Sequence, residues 1–89
     1  MLAIKVNRAF HKLNKHATPA AGTALKRNEP IVVYLTSTQE QKIQDALYFL
    51  EEEQLIYCSR VEEKGNTDPR IDTALELIPL PRLFNVLET

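Results

Sequence analysis

Residues 38–78 constrain this chain more than any other stretch. They read TQEQKIQDALYFLEEEQ, then LIYCSRVEE, then KGNTDPR, then IDTALELI. In the first string Ile43, Ala46, Leu47 and Leu50 recur at three- and four-residue spacing, the mark of a helix with one buried face. Phe49 and Tyr48 widen that stripe or form a second contact surface. Ser37-Thr38-Gln39-Glu40 just before it matches a capping box, with the Ser37 hydroxyl and the Glu40 carboxylate each satisfying an orphan amide. A helix is therefore predicted over 38–54. Leu55, Tyr57, Ser59 and Val61 then alternate with Ile56, Cys58 and Arg60, and Ile71, Thr73, Leu75 and Leu77 with Asp72, Ala74 and Glu76. Gly65-Asn66 and Asp68-Pro69, all turn formers, lie between the two runs. An antiparallel hairpin over 55–78 with a long polar tip is the expectation.

The flanks are simpler. Ala3, Val6, Phe10 and Leu13 predict an amphipathic helix over 1–17. Lys5, Arg8, Lys12 and Lys15 repeat at the same spacing two residues later, about 200° further round, so a basic stripe lies almost opposite the apolar one. Pro19 disfavours helical geometry at Thr18 and ends the helix near Ala17. Residues 18–29 read as a short helix or a loop, with Thr18 and Pro19 placed to start a helix, Gly22 and Thr23 weakening it, and Asn28 and Pro30 marking its end. Residues 31–36 are rich in β-branched and aromatic side chains, which favours a short strand over its competitor, a short buried helix. Pro79 closes the second hairpin strand, and Leu83, Phe84, Val86 and Leu87 make 81–88 a short apolar helix or tail. Those four side chains either complete the core or contact another subunit. The sum is one small α+β domain over 1–89.

Eighty-nine residues bury a thin core, and dimerisation is a common way to enlarge one, so a homodimer is expected. The lone Cys58 excludes an intramolecular disulfide and a cysteine zinc cluster; His11 and His16, five apart, share a helix face poorly, and no metal or cofactor is expected. A Cys58–His dyad is disfavoured because Cys58 reads as a buried strand position. There is no phosphate-binding glycine loop, no nucleophile elbow and no clustered acid–base pair, so an enzyme is not expected, nor is a small-molecule ligand. No apolar run is long enough to cross a bilayer and no secretory h-region is visible, which leads to the expectation of a cytoplasmic protein without membrane contact. A transit presequence is disfavoured, since the first segment is Lys-rich and lacks Ser. The formal net charge of −1 conceals a split. Residues 1–28 hold Lys5, Arg8, Lys12, Lys15, Lys26 and Arg27 and no acid, whereas the remainder holds all twelve acids against five bases. That imbalance points to a polyanion or an acidic protein surface as partner, with packing of the basic segment on the chain's own acidic half as the bland alternative.

Residues 46–56, ALYFLEEEQLI, resemble winged-helix domains, whose recognition helix ends in a Leu-x-x-Leu-Glu-x-x-Gly-Leu-Ile pattern before the first wing strand. Leu47, Leu50, Glu51, Leu55 and Ile56 match; Gln54 stands where the family has Gly. Gln54 must then adopt a left-handed conformation with strain, or the helix must end another way. The resemblance covers residues 38–78. It implies a winged-helix-like domain that binds DNA in a regulatory role, with Thr36, Thr38, Gln39, Gln41, Lys42 and Gln44 facing the major groove and Lys64 and Arg70 reaching the backbone from the wing tip. The basic stripe with Lys26 and Arg27 would supply further phosphate contacts. The alternative is a protein-interaction or assembly module with no nucleic-acid role.

Overall fold

The computed structural model describes residues 2–17, 20–61 and 69–88. Four helices, α1 (Leu2–His16), α2 (Ala21–Lys26), α3 (Ser37–Glu52) and α4 (Pro81–Leu87), join three strands, β1 (Ile31–Leu35), β2 (Ile56–Arg60) and β3 (Thr73–Pro79). The domain is α+β. The strands form one antiparallel sheet in the order β1-β3-β2, so the last strand in sequence is the central one. Val33 sits opposite Leu75 and Cys58 opposite Leu77. This register puts Val33, Leu35, Leu75, Leu77 and Ile56 on the face that the helices cover, all buried. Val32, Tyr34, Glu76, Ile78 and Tyr57 lie on the other face, as strand alternation requires, and are partly or largely exposed.

The alternating run 71–78 becomes the central strand because its buried face is continuous and both neighbours supply complementary apolar residues. Residues 31–35 are strand rather than helix for the same reason: β1 finds a partner in β3, which the sequence separates from it by more than thirty residues. Pro79 sits at the last β3 position, where the missing N–H costs least.

Helix α3 starts one residue earlier in its cap than the sequence suggests. Thr36, not Ser37, is the N-cap: its hydroxyl accepts from the Gln39 amide at 3.2 Å, and the Gln39 side-chain carbonyl accepts from the Thr36 amide at 2.9 Å. Thr36 keeps extended geometry (φ −76°, ψ 165°), continuing the direction of β1, and the Ser37 hydroxyl and amide are taken instead by Asp72 Oδ2, each at 2.8 Å. The other end resolves the question raised by Gln54. Gln54 adopts φ 59°, while the Leu55 amide donates to the Leu50 carbonyl at 2.9 Å and the Gln54 amide to that of Glu51 at 3.0 Å. This is a Schellman cap with glutamine in the glycine position. Asn28 does the same for α2, at φ 62° with Glu29 donating to Ala24.

The core joins Val6, Phe10 and Leu13 of α1, Leu25 of α2, Ile43 and Leu50 of α3 and the inner sheet face. Helices α1 and α2 cross so closely at Gly22 that a Cβ there would collide with the Phe10 carbonyl. The residue that weakens α2 as a helix is what lets it dock. Leu83 of α4 is fully buried in its own chain, so it completes the core and is not an oligomer contact; Val86 and Leu87 pack against the core as partly buried residues, and Phe84 is half-buried.

Candidate nucleic-acid interface

Helix α1 turns Val6, Ala9, Phe10 and Leu13 inward. At about 100° per residue, Lys5, Arg8, Lys12 and Lys15 fall on the outer side of the same helix. Lys5, Arg8 and Lys15 are exposed and Lys12 is partly so. The stripe borders α3: Lys5, Arg8, Ala9 and Lys12 form one wall of a shallow surface groove, with Asp45, Ala46 and Phe49 of α3 as the other. One turn earlier in α3, Lys42 acts electrostatically on His16 at the C-terminal end of α1.

His16 reports on this meeting point. Its imidazole is held below the ordinary value of 6.5, first by partial desolvation and then by the positive charges of Lys42, Lys15 and Lys12. Lys42, Lys15 and Lys12 therefore all lie within electrostatic reach of His16. Asp45 is the single acid lining the α1–α3 groove.

Among the described residues the ion pairs are Arg60–Glu40 at 3.2 Å and Arg82–Glu53 at 3.5 Å; neither involves Lys5, Arg8, Lys12, Lys15, Lys26, Arg27 or Lys42.

The end of β2 and the start of β3 are tied to the N-terminal part of α3. Asp72, just before β3, holds Ser37, and Glu40 accepts from Thr73 Oγ1 at 2.7 Å and from Arg60 Nη2 at 3.2 Å. The hairpin thus leaves the body beside the start of α3. Arg70 is exposed in this region. Lys64 lies outside the described residues.

The polar residues of α3 divide. Thr38, Gln41 and Lys42 are exposed. Thr36 and Gln39 do not remain available for base edges, because each is committed to the cap. Gln44 is displaced as well: two residues from Lys42 is about 200° of rotation, and Gln44 lines a second groove with Glu40, Tyr48, Glu51, Cys58 and Arg60 on the sheet side. Neither a family model, nor a curated protein, nor a solved structure matches the chain. Its functional reading rests on this geometry.

Other chemistry is weak. Burial, then the Glu51 charge, pushes the Cys58 thiol up to about 11, so it is protonated and unreactive near neutrality. No group of three His, Cys, Asp or Glu side chains able to hold a metal occurs among the described residues. His11 and His16 face different neighbours, α2 and α3 respectively. No helix among the described residues is long and apolar enough to cross a membrane.

What the sequence missed is the surroundings of the stripe. The electrostatic effect of Lys42 on His16 joins residues far apart in the chain. Asn14 and Thr23 carried no signal at all, and the structure brings them together, with the Asn14 Oδ1 accepting from the Thr23 amide at 3.0 Å.

Proposed function

We propose that this protein binds nucleic acid, as a small winged-helix-like DNA-binding protein without catalytic chemistry, through the surface shared by α1 and the start of α3. The observation that carries the reading is that Lys5, Arg8 and Lys12 border the α1–α3 groove and that, like Lys15 and Lys42, they form no ion pair among the described residues. Phosphate neutralisation supplies most of the affinity of such complexes. Thr38 and Gln41 add hydrogen-bonding groups at the exposed start of α3, and the hairpin emerges at the same end. The order helix, strand, turn, strand agrees with a winged helix; strand β1 running directly into α3, where that family has a helix, does not. Contacts from α1 take the part of the missing helix in this reading.

Fluorescence anisotropy with a labelled duplex at two salt concentrations tests it. The expected result is binding at low salt that weakens steeply as salt rises, by a slope of about −0.9 per phosphate contacted. Absence of binding at low salt would overturn it.

A second reading, self-association, is favoured by the outer sheet face. Tyr57 is 57% exposed there, beside Ile78 in register. Light scattering on Tyr57→Lys checks it: a homodimer through this face would dissociate, and an unchanged mass would exclude the face.

A further inference from the structure

The α1–α2 side holds a second cationic site that the stripe does not include. An open groove of about 500 Å³ runs between the two helices, with Phe10 at its floor and His11, Asn14, Thr23, Lys26 and Arg27 around it. Every charged or titratable side chain in this lining is basic; no carboxylate contributes, because residues 1–28 contain none. Lys26 and Arg27 are exposed and form no ion pair among the described residues.

The uncharged groups point the same way. A backbone amide must donate, so the contact from the Thr23 amide fixes the Asn14 side chain with its oxygen toward α2. The Asn14 NH₂ group is then the part left to donate into the groove. The Thr23 hydroxyl can donate as well. Asn7, also in the lining, uses its NH₂ on the Ala3 carbonyl at 3.0 Å. Donors and cations therefore dominate, and the Arg27 guanidinium has the forked shape that suits a bidentate oxyanion. The geometry is held firm by the close crossing at Gly22 and by the Asn14–Thr23 bond.

We infer that this groove is a phosphate-binding site, with Lys26 and Arg27 as the charge partners and Asn14 and Thr23 as neutral donors. The phosphate can belong to a nucleic-acid backbone or to a free phosphorylated ligand; the first source rests on the nucleic-acid reading above, the second does not. On the first, the backbone would be gripped on both sides of α1, about one helix diameter (~10–12 Å) apart.

The test is two-dimensional NMR of the full chain at low ionic strength, titrated with pyrophosphate against a sodium chloride control, and separately with a short duplex. The Thr23 amide and the Asn14 side-chain NH₂ are the reporters. Pyrophosphate or the duplex should shift both, and Lys26→Ala/Arg27→Ala should weaken that response about 10-fold or more through loss of two charge-assisted contacts, whereas Lys42→Ala should leave the pyrophosphate response unchanged. The replaced residues are exposed, and the remaining resonances show whether the variant is folded. Groove shifts with pyrophosphate but no duplex binding would keep this site and remove the nucleic-acid reading. Groove shifts with the duplex alone would identify the source as backbone phosphate. Duplex binding that moves only the Lys5–Lys15 stripe and Lys42, with the groove silent to both ligands, would overturn the inference while leaving the nucleic-acid reading standing.

Discussion

The acid-free lobe of α1 and α2 and the sheet-bearing body treat charge in opposite ways. In the body Arg60 and Arg82 are paired with Glu40 and Glu53, and Glu40 also anchors the buried Thr73. In the lobe no cation has such a partner among the described residues. Both regions contribute to one core, so the difference is not a difference in folding role. The body's charges are matched at short range, whereas those of the lobe lie where desolvation and then the neighbouring lysines already disfavour protonation of His16.

The comparison predicts a double dissociation: changes in the body should move stability, and changes to the lobe's outer side chains should move affinity. Leu83→Ala should have the largest effect, a loss of about 2–5 kcal/mol in urea denaturation, since the side chain is fully buried where α4 closes the core; a loss under ~1 kcal/mol would mean that α4 is not docked as described. The joint replacement of Lys5, Arg8, Lys12 and Lys15 by Ala should weaken duplex binding about 10–100-fold and flatten the salt slope. Thermal stability should change little, and if affinity survives intact the lobe is not the anion surface. Glu40→Ala removes the acceptor for Arg60 and Thr73 and should cost about 1–2 kcal/mol, without lowering affinity. Gln54→Gly should stabilise by up to ~1 kcal/mol, because glycine adopts the left-handed cap without the Cβ penalty.

The pH predictions are smaller and follow from sign. His16 is depressed in the folded chain, so its neutral form is favoured there; its contribution to stability is present above pH 6.5 and diminishes as pH falls through the lower folded value. A polyanion covering Lys42, Lys15 and Lys12 should raise the His16 pKa, readable by NMR titration with and without duplex; no rise would place the ligand elsewhere. Cys58 is raised from 9.0 to about 11, so stability should decline between those values as the unfolded thiol ionises first.

Local rules were enough for most elements. Spacing placed the buried faces of α1 and α3, Asn28 was one of two residues marking the end of a short helix or loop that proves to be α2, and β-branched density favoured a strand over 31–36, of which Ile31–Leu35 form β1. The capping box was legible in kind and off by one in position, because Asp72, distant in sequence, claims Ser37 and leaves Thr36 to cap. Gln44 was grouped with Lys42 by proximity in the chain, although helical rotation separates their faces. The groove residues Asn14 and Thr23 were illegible, since polar residues on exposed helix faces carry no pattern until a neighbouring helix is placed beside them.

Taken alone, the sequence determined which side chains α1 and α3 would bury and that every acid lies beyond residue 28. These are properties of short-range periodicity and composition. Only the tertiary structure decided that β3 is the central strand, that Leu83 is core, and that Lys42 acts on His16 at the end of α1 while Lys26 and Arg27 border a separate groove. Each of those depends on which faces of α1, α2 and α3 meet, and that is settled by packing between residues many positions apart, which no local pattern encodes.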